Sequence, residues 1–138
     1  MIRTINEILG DFADKIGYHY HADIIPARLL DGTLQYPALL WVLPNGTSVD
    51  DTRWRFRSSL FIVRQRETGE TSADNIAVMQ GIANDLRAWL IAEARDNGRD
   101  AFIDFDYKAM TAEPRTGFDN SGADAMEVSL TFIASKCE

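Results

Sequence analysis

The sequence has one cysteine, Cys137, so no disulfide can form within the chain. No apolar run approaches the roughly 18 residues needed to span a bilayer. The first residues, MIRTINEILGDFADKI, carry acids through their apolar pattern. They do not read as a signal peptide, and a protein assembled inside a cell is expected. Basic groups are outnumbered 14 to 21, leaving a net charge of −7, which excludes a general nucleic-acid binder. The imbalance is local: residues 51–99 hold eight basic and seven acidic groups, residues 100–138 three and eight. Also missing are a glycine-rich phosphate loop, G-x-S-x-G, C-x-x-C and H-E-x-x-H, the spacings that mark the commonest catalytic and zinc sites. No catalytic residue, cofactor site or metal site is therefore assigned.

What is present is a strand the rest can be arranged around. In Asp51–Arg64 the residues Arg53, Arg55, Arg57 and Ser59 alternate with Trp54, Phe56, Ser58 and Leu60, the period of a half-buried strand. Leu60-Phe61-Ile62-Val63 is then apolar on both faces, so the strand belongs near the centre of a sheet with cover on each side. Phe61 and Val63 share the arginine face, and a neighbouring subunit is one way to cover them.

Upstream, Thr4 and Glu7 make a capping-box pattern, Ile5, Ile8, Leu9, Phe12 and Ile16 form one helical stripe, and Gly17 suits a helix end. Residues 18–25 alternate as a short strand stopped by Pro26, and 27–35 read as a connector turning at Asp31-Gly32. Ala38–Leu43 reads as a strand covered on both faces and broken by Pro44-Asn45-Gly46, with a hairpin onto the arginine strand. Downstream, Thr71 or Ser72 opens the longest helix, about residues 72–97. Its stripe of Ile76, Met79, Ile82, Ala83, Leu86, Trp89 and Leu90 should lie across the sheet, with Asn97-Gly98 ending it. Residues 101–109 and 126–135 alternate as two more strands, and 111–124, rich in turn formers, reads as a long loop between them. The expectation is one α+β domain, order αβββαββ, with about five mainly antiparallel strands.

Three clusters carry possible chemistry. His19 and His21 form an H-x-H pair, but no third ligand follows at a metal spacing, so solvent-facing histidines are the better reading. Asp104 and Asp106, with Glu127 on the neighbouring strand, could hold a cation. Pairing with Arg53, Arg55 and Arg57 across the sheet is simpler, since no second base or nucleophile accompanies them. Asp119–Asp124 lacks the acidic twelfth position of a calcium loop.

Taken together, YPALLW (36–41), RWRFRSSLFIV (53–63), DNIAVMQGIANDLRAWL (74–90) and TAEPRTGFDNSGADAMEVSLTF (111–132) resemble phage tail terminator and head–tail joining proteins in layout. That resemblance implies a non-enzymatic structural role in a virion, prophage or tail-like particle. It implies a ring of subunits, commonly six, that caps the tail tube and meets the head-completion proteins. It implies no cofactor, no membrane and no specific nucleic-acid contact. Interface residues would then be Arg53, Arg55, Arg57, Phe61, Val63, Asp104, Asp106 and Glu127. A small dimeric adaptor, or a ligand-binding α+β domain using the acidic strand face, are the alternatives.

Overall fold

The first helix, α1 (Ile2–Ile16), forms because Ile5, Ile8, Leu9, Phe12 and Ala13 fall on one face, and all five are buried. It begins two residues before Thr4, so that threonine lies inside the helix rather than capping it. Gly17 ends it with φ +75. The Gly17 amide donates to the Asp14 carbonyl at 3.2 Å and the Tyr18 amide to the Ala13 carbonyl at 2.9 Å, the pair of bonds of a Schellman cap. This computed structural model describes residues 2–23, 35–96, 103–115 and 123–135. The expected connector turn at Asp31-Gly32 and the helix stop at Asn97-Gly98 lie outside the described residues.

The chain then builds one sheet. Strand β1 (His19–Asp23) is followed by β2 (Ala38–Ser48) and β3 (Arg53–Gln65). After helix α2 (Ser72–Asp96) come β4 (Ile103–Phe105), a 3-10 turn (Tyr107–Ala109), β5 (Thr111–Arg115) and β6 (Ala123–Ser135). The spatial order is β1-β2-β3-β6-β4, with β5 beside β4 on the same edge of β6. All pairings are antiparallel except β1 with β2. The fold is α+β, with the arginine strand at its centre.

Three details differ from the sequence expectation. Pro44-Asn45-Gly46 does not end β2; the register shifts between Val42 and Asn45, and the strand resumes to Ser48. A bulge is one of the few places a strand tolerates proline. Gly46 is needed there, because a Cβ would come within 2.8 Å of the Phe56 ring on β3. Residues 111–115, expected to be loop, form β5 and raise the strand count to six. Pro114 fits because an edge strand can spare one donor. The strand expected over 101–109 is described only for Ile103–Phe105; the Asp106 amide donates to the Thr131 carbonyl and the chain turns away.

Both helices pack on one sheet face. Ile5, Leu9 and Phe12 of α1 and Met79, Ala83, Leu86 and Leu90 of α2 meet Leu39, Trp41, Leu60, Ile62, Val128, Leu130 and Phe132. Ile82 is half-buried against this core rather than within it. The apolar side chains carry their few polar atoms to partners: Trp41 Nε1 donates to Ser58 Oγ at 2.9 Å, and Trp89 Nε1 to the Ile8 carbonyl at 3.2 Å. α2 is held at its start by a reciprocal cap, in which the Asp74 amide donates to Thr71 Oγ1 and the Thr71 amide to Asp74 Oδ2.

The opposite face has a second, smaller cluster of Ala38, Leu40, Val63, Ala123 and Ala125, with Tyr36 and Phe61 packed against it. Neither helix contributes to it. Val63 is 0% exposed. It is therefore a core residue of the single chain and not a surface offered to a neighbour, whereas Phe61 is half-buried.

Candidate functional site

The helix-free face of the sheet can be read from its registers. Down β3 it carries Arg53, Arg55, Arg57, Ser59, Phe61 and Val63; across on β6 lie Ser135, Ile133, Thr131, Ser129, Glu127 and Ala125. Asp104 of β4 is opposite Ile133, so Arg55, Ile133 and Asp104 form one row. Arg55 and Asp104 are thus two strand spacings apart, about 10 Å, too far for a direct pair.

The expected cross-sheet ion pairs are accordingly not made. Arg53 turns instead to Asp50 in the β2–β3 turn, with Nη2 at 2.7 Å and Nε at 3.0 Å. Glu127 accepts from Ser59 Oγ and Arg115 Nη2, each at 3.1 Å, and Arg115 also holds Glu113 at 2.9 Å. Asp106 lies past the end of β4, where it precedes the 3-10 turn. Asp104 and Glu127 reach β6 positions six residues apart, about 20 Å. The three acids do not converge, and no group of three metal-ligating side chains occurs among the described residues. His19 and His21 lie on edge strand β1, His19 exposed and His21 half-buried.

What remains on this face is a pair of arginines. Arg55 is half-buried and Arg57 exposed, and neither makes an ion pair among the described residues. They belong to the distal half of the β2–β3 hairpin, where Asn45–Ser48 and Asp50–Trp54 are exposed except for the half-buried Val49 at the bend. β1 pairs with β2 only as far as Val42, so the outer edge of Asn45–Ser48 has no strand beside it among the described residues. The hairpin's opposite side presents Trp54, 37% exposed.

The turn at its tip is fixed electrostatically. The Arg53 guanidinium first, then the Thr52 amide and hydroxyl, hold the Asp50 carboxyl well below the usual carboxylate range. A lowered folded-state value stabilises the fold above the ordinary carboxylate pKa of about 4, and the contribution is lost as pH falls toward the folded value. The difference in urea midpoint between wild type and Asp50→Ala should hold steady above about pH 5 and shrink steadily below about pH 4. A difference that grows on acidification would contradict this turn.

A buried polar network was not foreseen. Asp124, 0% exposed, accepts from Arg66 Nε, Arg66 Nη2 and Asn75 Nδ2, each at 2.9 Å. Asn75, also 0% exposed, donates to the Arg64 carbonyl at 2.7 Å and accepts from Arg64 Nη1 at 2.6 Å. Arg64 continues to Glu70 at 2.9 Å and Glu67 at 3.4 Å. The network joins the end of β3, the start of α2 and the start of β6. Beside it is a hollow of about 260 Å³ lined by Tyr36, Pro37, Arg64, Gln65, Arg66 and Glu67. Its arginines already face carboxylates, so the network reads as a structural clasp. The Thr71–Asp74 cap marks where α2 starts, but nothing in local spacing ties Asn75 to an acid 49 residues away.

A second concavity, about 500 Å³, lies between α2 and the 3-10 turn, lined by Arg87, Ala88, Ile91, Ala92 and Tyr107. The Arg87 guanidinium sits 5.1 Å from the Tyr107 ring centroid, a cation–π distance.

No protein-family model matches the chain, and no curated protein matches it. No described helix is long and apolar enough to cross a membrane.

Proposed function

We propose that the chain is a self-assembling structural protein of a phage or tail-like particle, a tail terminator or head–tail joining component. It acts without catalysis or cofactor, in the virion or in the host cytoplasm during assembly. The layout resemblance over residues 36–41, 53–63, 74–90 and 111–132 supports the class. The observation that carries self-assembly is the β2–β3 hairpin, which presents Arg55 and Arg57 on a helix-free sheet face of an acidic chain, without an ion-pair partner among the described residues. Surplus acid elsewhere on identical copies makes a second subunit a complementary partner for that stripe, and complementary fields set register and encounter rate. A ring brings the remaining partners, the tail-tube and head-completion proteins, to its two rims.

Arg55→Glu with Arg57→Glu should abolish association while leaving the circular dichroism spectrum and thermal midpoint close to wild type. Light scattering after size exclusion at low salt checks this, with electron microscopy of the largest wild-type species. Rings support a terminator; a clean dimer with no larger species supports the adaptor alternative. Association unchanged in the double variant would remove the arginine stripe from the interface.

A further inference from the structure

We propose that the hairpin of one copy docks on the groove between α2 and the 3-10 turn of a second copy, with Trp54 as the inserted side chain. The inference rests on the self-assembly reading and names the two surfaces that meet. Trp54 and Tyr107 are among the few large apolar side chains left exposed in the described structure, at 37% and 40%. One stands on a hairpin; the other walls a concavity of about 500 Å³ floored by Ala88, Ile91 and Ala92. That hollow can receive an indole, which buries on the order of 150–250 Å² when enclosed. Arg87, already stacked on Tyr107, would lie against the incoming ring as well.

Charge selects the pairing. Asp51, exposed at the hairpin tip three residues before Trp54, makes no ion pair among the described residues, while its neighbour Asp50 is committed to Arg53. Arg87 and Lys108, both exposed, flank the groove and make no ion pair among the described residues. An acidic tip beside an aromatic side chain thus faces a basic rim around an apolar floor, on a chain whose overall charge would otherwise keep copies apart. The two surfaces are different: the hairpin joins β2 and β3, whereas the groove lies beyond β6 toward the β4 edge. A contact between unlike surfaces runs head to tail and closes into a ring when its rotation permits.

Mixing two variants tests the pairing. Trp54→Ala removes the inserted ring but keeps the groove; Ala88→Trp fills the groove but keeps the hairpin. Each alone should associate roughly tenfold or more weakly than wild type in sedimentation velocity. Mixed, they should form heterodimers and stop there, since one sound contact remains per pair, while wild type proceeds to larger species. Asp51→Arg and Arg87→Asp should each weaken association and partly restore it when mixed, a check that leaves the apolar surfaces untouched. If both single variants assemble like wild type while Arg55→Glu/Arg57→Glu does not, the docking assignment fails and self-assembly stands. A wild-type chain that stays monomeric at millimolar concentration overturns both.

Discussion

Replacing Asp124 with alanine is expected to lower the unfolding free energy by about 3–5 kcal/mol, the usual cost of breaking a buried charge pair from one side. The carboxylate is fully enclosed and receives three hydrogen bonds at 2.9 Å. Its removal leaves Asn75 Nδ2 with only the Arg64 carbonyl, and leaves Arg66 facing a pocket shaped for an anion. Arg66 is 33% exposed and can turn to water, which places the expected loss toward the lower end of that range. Asp124→Asn keeps the volume but sets an amide donor against the guanidinium, so it should recover only part of the loss. Urea denaturation checks both, and a loss under about 1 kcal/mol for the alanine variant would mean that the clasp does not hold β3, α2 and β6 together.

Leu86→Ala and Leu130→Ala should each cost about 2–5 kcal/mol, since both side chains are enclosed in the same core and truncation leaves a cavity there. Leu86 reaches the sheet from α2 and Leu130 rises from β6 beneath it, so each measures the helix–sheet packing from one side. Ile82→Ala should cost less, because Ile82 sits at the edge of that core. Val63→Glu should unfold the subunit rather than dissociate an assembly, since Val63 is buried in the second cluster. Equal losses at Ile82 and Leu86 in denaturant titration would show that the helix is rotated from its described position.

Elements set by local chemistry were legible in the sequence. Alternation gave the β3 faces, Gly17 gave the end of α1, and the apolar stripe gave α2 and the side it presents. The features that escaped depend on distant partners. Residues 111–115 look like loop because threonine, glutamate and proline favour turns, yet β6 supplies a ladder and Pro114 occupies an edge. Pro44 and Gly46 read as a breaker because only the Phe56 ring opposite explains why a glycine belongs in that strand. The candidate interface was half legible. Alternation placed the arginines on one face, but the acids expected beside them sit one strand too far away or bind elsewhere. Asp124, in a stretch that looked like a poor cation loop, became a clasp through Arg66 and Asn75.

Self-assembly through the hairpin is tested most directly by sedimentation velocity on the wild-type chain from micromolar to millimolar concentration at low salt. The expected result is a concentration-dependent shift from the 15.5-kDa subunit to species larger than a dimer, reversed by added salt as the arginine contacts are screened. A single 15.5-kDa boundary at every concentration would contradict it.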